Sequence, residues 1–373
     1  MVNLFRERQL PLGLDLSDIS LKLMQFRERG GKYLVQAYAD APIQKDVLAG
    51  EKIKDPGMLI KTIRQAIAAP QFGKVTTDEV VASIPETKSF VRVIQIPKMS
   101  EAEAAEAVPW EAEAYIPLPM SQVYLDWVLL APAASALDSG GESSTEKLTV
   151  LITAAPKDYV DDLVAILKKA GLRPLALEVE SQATARSLVS RPEEAVLIAD
   201  INTVRTSLII YDRGALQFTS SLPIAGNSFT ESLVQGLDLD FAHAEQLKRE
   251  VGIDEDSQRG AVKKSLVPVL NNLLEEIKNT IRFYEEHSRG SEKISRLLLT
   301  GGSSKLRHLP SFLHEKLTRQ VAEEHPLRSL PGLKVELGNP WVNALRKGQT
   351  PALSREDSLS YTTAIGLALR EQK

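Results

Sequence analysis

Two stretches decide the architecture: Leu10–Phe26, LPLGLDLSDISLKLMQF, and Val196–Tyr211, VLIADINTVRTSLIIY. Each reads as an apolar strand ending in an aspartate, a short polar turn, and a second strand that returns beside the first. Laid together, Leu14-Asp15-Leu16 falls on Ala199-Asp200-Ile201, and Leu23 falls on Leu208. The next turns nearly coincide, Arg29-Gly30 against Arg213-Gly214. Self-similarity of this kind marks one supersecondary unit used twice. The expectation is an α/β chain of two related lobes, with Asp15 and Asp200 in equivalent places. Packing of the copies about a pseudo-dyad would direct both carboxylates into the cleft between them.

Working outward, the first copy continues into strand Tyr33–Tyr38, an amphipathic helix over Pro56–Ala69 and a buried strand at Glu79–Ile84. Pro85–Lys169 reads as a separate unit with strands at Lys88–Ile96, Tyr124–Leu130 and Lys147–Ala154. Ser100 caps an Ala- and Glu-rich helix with Glu103 at the capping-box position, and Pro109 is expected to kink or interrupt it. Ala131–Glu146, mostly Ala, Ser and Gly, is expected to be a mobile surface loop. A helix over Asp158–Ala170 with Gly171 at C′, a strand at Leu172–Val179 and a helix from near Ser181 follow. Beyond the second copy, helices are expected at Asn227–Gly236, Phe241–Glu250 and Ser265–Glu286. Strand Ile294–Thr300 then runs into Gly301-Gly302-Ser303-Ser304 and a helix over Leu306–Leu317. Leu333–Leu337 reads as a last strand and Ser358–Arg370 as the closing helix.

The 373 residues are too many for one ordinary domain, and 43% hydrophobic with 25% charged suits a folded globular chain. A net charge of −4 supplies no global basic field, so nucleic acid is not an expected partner. The absence of cysteine excludes disulfides, thiolate zinc sites and a cysteine nucleophile. Arg6, Glu7 and Arg8 precede any apolar run, so no secretory leader is expected; no uncharged apolar run is long enough to span a bilayer. No amphipathic basic helix is read at Leu367–Lys373, so direct membrane insertion is not expected.

No G-x-x-x-x-G-K-[ST] and no strand-linked G-x-G-x-x-G occurs, and the five histidines lack metal-ligand spacing. The aspartates are the better lead. Two carboxylates beside a polyphosphate suit Mg²⁺, which binds through one or two carboxylates and its own waters. The turns after them offer Ser17, Ser20, Thr203 and Thr206, with backbone N–H groups to cradle phosphate. Either aspartate alone reads first as the cap of a turn, and it is the duplication that favours the phosphate reading. Gly301-Gly302 lets backbone approach a flat ligand, or forms an ordinary βα turn. Glu245 and Lys248 stand one helical turn apart, which fits a surface ion pair or a clasp on a ribose and base edge.

The order of these parts resembles the actin/Hsp70/FtsA ATPase superfamily: the Asp15 turn, the Asp200 turn, Ile224-Ala225-Gly226-Asn227 with Thr230, Ala244-Glu245 with Lys248, then Leu-Thr-Gly-Gly. Within it the chain is similar to the PilM family of type IV pilus assembly proteins. That closer resemblance rests on Leu12–Lys22, Trp110-Glu111-Ala112-Glu113-Ala114-Tyr115-Ile116-Pro117 with Tyr124-Leu125-Asp126, and the closing Gly366-Leu367-Ala368-Leu369-Arg370.

The resemblance implies an actin-like, ribonuclease H-like duplicated two-lobed fold with an inserted FtsA-type 1C subdomain. Residues 1–84 and 171–190 would form subdomain 1A, with 354–373 packing back on it, and 85–170 would form 1C. Residues 191–235 and 291–353 would form 2A, and 236–290 would form 2B. ATP would be held by Asp15, Ser17, Ser20 and Lys22 in the first turn and by Asp200, Asn202 and Thr203 in the second. Gly226, Glu245, Lys248, Gly301, Gly302 and Ser303 would complete the site, with Mg²⁺ reached from Asp15 and Asp200 through water. Ala364–Ala368 would match the second connecting helix, and Glu180 in the first would orient an attacking water. Ser17 and Asn202 replace the glycine common in such turns, so binding is expected with at most slow hydrolysis. The partners implied are the N-terminal cytoplasmic tail of PilN, held in a groove between 1A and 1C, and through it PilO and the inner-membrane platform. The expected location is the cytoplasmic face of the inner membrane. Alternatives on the same fold are an FtsA-like division protein, a nucleotide-free scaffold and a small-molecule kinase.

Overall fold

The computed structural model describes residues 7–17, 19–44, 47–48, 52–130, 147–191, 194–254, 260–287, 293–319, 330, 332–346 and 348–370. The expected loop at 131–146 lies outside the described residues. Two compact units are present: one takes the chain up to Ser190, Leu216–Phe218 and everything from Asn339, and the other takes Arg191–Ala215 and Thr219–Gly338.

The first unit opens with strands β1 (Leu12–Leu16), β2 (Ser20–Arg29) and β3 (Lys32–Pro42), helix α1 (Pro56–Ala68) and strand β4 (Glu79–Ile84). Asp55 caps α1 by accepting the Met58 N–H at 2.8 Å, and Pro56 sits where a missing N–H costs nothing. Next come β5 (Phe90–Pro97), α2 (Glu101–Glu113), β6 (Val123–Leu130), β7 (Lys147–Pro156) and α3 (Lys157–Ala170). Strand β8 (Arg173–Val179) and helix α4 (Glu180–Leu188) complete this run.

The main sheet runs β8-β4-β1-β2-β3, with Phe72–Gly73 beside β3 and Arg8–Gln9 beside β2. Its core includes Leu12, Leu14, Leu16, Leu21 and Leu23, all sealed from solvent. Strands β5, β7 and β6 form a separate three-stranded antiparallel sheet with α2 packed on one face through Ala104, Val108 and Ala112. The insertion read at residues 85–169 thus has its own sheet, within the first compact unit.

Helix α2 runs through Pro109 without interruption, so of the kink or break expected there the break does not occur. The stripe Ala104–Val108–Ala112 is fully buried against the sheet, while Ala105, whose carbonyl loses its donor, is exposed to water. Packing therefore offsets one missing hydrogen bond that the solvent replaces. The capping box forms as read: Glu103 N–H donates to Ser100 Oγ at 3.3 Å and Ser100 N–H to Glu103 Oε2 at 2.8 Å. Gly171 ends α3 at φ 93°, in the left-handed region that glycine enters freely.

The second copy repeats the plan, and all of it but Leu216–Phe218 lies in the second unit. Strands β9 (Val196–Ile201), β10 (Thr206–Asp212) and β11 (Ala215–Leu222) precede helices α5 (Gly226–Leu237), α6 (Phe241–Glu250) and α7 (Ala261–His287). Strand β12 (Arg296–Thr300), helix α8 (Leu309–Thr318) and strand β13 (Lys334–Leu337) follow. The sheet order is β11-β10-β9-β12-β13. Numbered within each copy, both sheets read 5-4-1-2-3, with the first pair antiparallel and the fourth and fifth strands parallel.

Helix α8 begins later than expected. Gly302–Lys305 instead forms a tight 3-10 turn, and the α-helix waits for Pro310 in its first turn. The expected closing helix is also divided: α9 (Arg355–Ser358), a 3-10 turn over Leu359–Tyr361, then α10 (Thr362–Ala368). Gly13 and Gly366 let α10 settle on β1 and α4, since a Cβ on either would lie within about 2 Å of a backbone oxygen.

Candidate functional site

The two aspartates sit at the ends of the first strands of the two copies, in the same register. Asp15 pairs with Lys22 and Leu14 with Leu23; Asp200 pairs with Ser207 and Ala199 with Leu208. The turns close alike. Ser17 N–H donates to the Ser20 carbonyl at 2.9 Å, and Asn202 N–H donates to the Arg205 carbonyl at 3.0 Å. Neither Ser17 nor Asn202 has positive φ; among the described non-glycine residues only Arg213, Asp238 and His308 do. The replaced glycines therefore bring no left-handed strain to these turns.

In the first turn Ser17 and Ser20 hydroxyls lie 2.9 Å apart, and Lys22 Nζ donates to Ser20 Oγ at 2.6 Å. Lys22 also approaches Asp40 at 3.7 Å. Ser83, on the neighbouring strand, donates to Asp15 Oδ1 at 3.1 Å and accepts the Leu16 N–H at 2.9 Å. Burial pushes the Asp15 carboxyl above its ordinary value against the pull of Lys22 and Ser83, and Asp40 pushes it further. Such a carboxylate gains from a cation. Ser83 escaped the sequence reading, although it is the one hydroxyl in Val80–Ile84.

The second turn is tied to two glycines. Gly301, at φ +84°, lies where a Cβ would meet the Asp200 carboxylate. Gly226 N–H donates to the Asn202 carbonyl at 3.0 Å and Asn227 N–H to the Thr203 carbonyl at 2.8 Å, so the turn docks on the start of α5. Ser303 Oγ donates to the same Asn202 carbonyl at 2.9 Å. Asn202, Thr203, Gly226, Ser303, Gly301 and Asp200 are thereby brought together. After Gly301 the chain makes a 3-10 turn over Gly302–Lys305, whose Ser304 returns its hydroxyl to the Gly301 carbonyl at 2.7 Å. Thr206 spends its hydroxyl on the Ile224 carbonyl at 2.6 Å.

Glu245 and Lys248 are no surface pair. Lys248 is 8% exposed, and its ammonium donates to Glu245 Oε2 at 2.6 Å, Thr230 Oγ1 at 2.8 Å and the Gly226 carbonyl at 3.0 Å. Burial pushes its ammonium below the ordinary lysine value, against the Glu245 charge. Burial alone would raise Glu245, but hydrogen bonds from Lys248 and Thr230 hold its carboxyl below the usual range. Arg249 takes the other Glu245 oxygen at 2.8 Å. This network fixes α6 to the Gly226 end of α5. Thr230, whose partners lie on two helices, was legible as a motif residue but not as this hub.

Glu180 is at the first position of α4, directly after Val179, which pairs with Ile84. Its Oε2 accepts the Glu86 N–H at 3.3 Å. Among the described residues no three His, Asp or Glu side chains gather into a cage. Asp15 and Asp200 each set one carboxylate beside a turn carrying hydroxyl and backbone N–H groups, the kind of ligand Mg²⁺ takes together with its own waters.

No described helix is long and apolar enough to cross a membrane. Among curated proteins, the cell division protein FtsA of Buchnera aphidicola subsp. Baizongia pistaciae is 23% identical over 55% of this chain and 52% of its own length. FtsA of Staphylococcus epidermidis is 23% identical over 48% of this chain and 43% of its own. The chain thus spans about half the length of these curated relatives. Among solved structures, the PilM-PilN type IV pilus biogenesis complex superposes with TM-score 0.74 and 27% identity, covering 96% of this chain and 97% of that one. The ethanolamine utilization protein EutJ of Carboxydothermus hydrogenoformans, at 0.54 and 15% identity over 99% and 92%, shares the fold, which is actin-like. The duplicated turn and the inserted three-stranded unit extend over the region, residues 13–372, that matches the profile of type IV pilus assembly protein PilM, and the chain belongs to that family.

Proposed function

We propose that this chain is the cytoplasmic actin-like scaffold of type IV pilus assembly, binding Mg-ATP through its two aspartate turns and the N-terminal cytoplasmic tail of PilN on the inserted subdomain. The observation that carries the nucleotide half is the shared register of Asp15 and Asp200, each at a strand end beside a turn closed by one backbone hydrogen bond. Asp15, Ser17, Ser20 and Lys22 would serve one side of the nucleotide. Asp200, Asn202, Thr203, Gly226, Gly301, Gly302 and Ser303 would serve the other, with Glu245 and Lys248 bracing α5. Bound Mg²⁺ would neutralise the phosphates; the aspartates would hold its waters. Turnover would be slow at most.

The partner half is supported by the 27% identical PilM-PilN complex. The groove would lie where the three-stranded subdomain meets the main sheet of the first unit, subdomains 1C and 1A. PilN would bring the chain to the inner membrane and, indirectly, to PilO and the pilus platform.

Equilibrium titration with ATP, with and without Mg²⁺, on the unmodified protein, Asp15→Ala and Asp200→Ala tests the site. Magnesium-dependent binding lost in both variants is expected. A second reading, a nucleotide-free scaffold, is favoured by one observation: Lys248 and Glu245 have their polar atoms engaged within the protein. Folded, nucleotide-stripped protein that binds no ATP would establish it. For the partner, full-strength pulldown by PilN lacking its N-terminal tail would remove the groove assignment.

A further inference from the structure

Ser83 joins two parts of the first unit that the sequence keeps separate. Its hydroxyl, fully buried, donates to Asp15 and accepts from the Leu16 N–H, so it holds the end of β1 where the phosphate turn begins. The chain after Ser83 is Ile84-Pro85-Glu86, and Glu86–Lys88 forms a 3-10 turn leading into β5 of the inserted sheet. The second copy shows what is special here. Thr300 takes the place of Ser83, paired with Asp200, but its chain then turns at Gly301 and stays with its own sheet. Only the first copy runs from the residue beside its aspartate directly into another subdomain.

That departure is pinned. Val179 pairs with Ile84, and the next residue, Glu180, accepts the Glu86 N–H at 3.3 Å. We propose that Ser83 and the Glu86–Glu180 hydrogen bond couple the Asp15 turn to the inserted subdomain, so that nucleotide at Asp15 and peptide on the insert alter each other's affinity. The proposal rests on the nucleotide and peptide reading above. Ser83 has one proton to give. A cation or its water drawing on the Asp15 carboxylate competes for the atom that proton holds, and a shift of the hydroxyl changes its grip on Leu16 and on the end of β4. The linkage is reciprocal by thermodynamic necessity. Both residues are positioning residues in this scheme. Glu180 needs only an acceptor oxygen for it, whereas orienting an attacking water needs the carboxylate.

The test is anisotropy of a labelled peptide carrying the N-terminal cytoplasmic tail of PilN, titrated with the full chain with and without Mg-ATP. Direct ATP titration of each variant runs alongside. In the unmodified protein Mg-ATP is expected to shift the peptide Kd about fivefold or more, the lower end of ordinary allosteric coupling. Ser83→Ala and Glu180→Ala are expected to reduce the shift to less than about twofold. Ser83→Thr, which keeps a hydroxyl and places there the residue type found at Thr300, and Glu180→Gln, which keeps an acceptor, are expected to retain it. If Ser83→Ala fails to fold, Glu180→Ala against Glu180→Gln decides the matter. Both ligands binding with an unchanged peptide Kd overturns the coupling and leaves the functional reading intact. So does a full shift surviving in the alanine variants. Failure of folded, unmodified protein to bind either ligand overturns the reading, and the coupling with it.

Discussion

Gly301 lies against Asp200 with no space for a side chain: a Cβ there would stand 2.5 Å from Asp200 Oδ1 and 2.5 Å from the Ile201 carbonyl oxygen. At φ +84° the position is also one that L residues rarely adopt. Gly301→Ala must move either the carboxylate or the strand end behind it. The expected cost is about 2–3 kcal/mol of stability, combining left-handed strain with overpacking. Mg-ATP affinity is expected to fall at least ~tenfold as the carboxylate is displaced. Urea unfolding and calorimetric titration check the two; unchanged affinity would detach Asp200 from the nucleotide site.

Asp15→Asn separates stability from binding. Burial raises the Asp15 carboxyl above its ordinary 3.8, so in the folded protein the ionised form is disfavoured relative to the unfolded chain. The carboxylate therefore costs stability in full above its folded pKa; the cost fades as pH falls through that value and is gone below the unfolded one. Asparagine keeps an oxygen for Ser83 and removes the charge. The variant is expected to melt higher than the unmodified protein near neutral pH, with the advantage gone by about pH 3. Magnesium-dependent ATP binding should drop at least ~tenfold. A lower melting temperature at neutral pH would contradict this account of Asp15.

Lys248→Met probes the buried network on α6. It strips donors from Glu245, Thr230 and the Gly226 carbonyl at once. A loss of about 2–4 kcal/mol is expected, because partners of a buried charge are left behind. Glu245 sits below its ordinary 4.5, so its contribution is full above that value and is lost as pH falls through the lowered one. The stability gap between the two proteins should accordingly be level near neutrality and shrink only below about pH 4. Denaturant midpoints across pH measure it, and a surface ion pair would give a gap under about 1 kcal/mol at every pH.

The tryptophans offer a contrast. Trp341 is 4% exposed and meets Phe26 edge-to-face at 6.3 Å, whereas Trp110 is 78% exposed on α2. Trp341→Ala is expected to cost about 3–5 kcal/mol and Trp110→Ala no more than about 0.5. Matched urea curves decide it. A large loss at Trp110 would mean that its indole is covered by a second copy of the chain in solution.

What the residues announce locally survives in the structure. The equivalence of Asp15 and Asp200 was readable because strand alternation and a polar turn are short-range patterns, and two copies reinforce each other. The Ser100–Glu103 capping box and the glycine after α3 were readable for the same reason: each is satisfied within a few residues. The continuation of α2 through Pro109 was not, because it depends on how well Ala104, Val108 and Ala112 pack on strands elsewhere in the chain.

The sequence by itself determined the duplicated strand-Asp-turn-strand unit, the insertion and the family resemblance, since these follow from periodicity and from residue types at fixed spacing. Only the tertiary structure decided that Lys248 is buried beneath α5, that Ser83 reaches Asp15 from the next strand, and that Gly301 is shaped around Asp200. Each of those relations joins residues far apart in sequence. Burial and hydrogen-bond partners are set by which distant elements pack together, and no spacing along the chain encodes that.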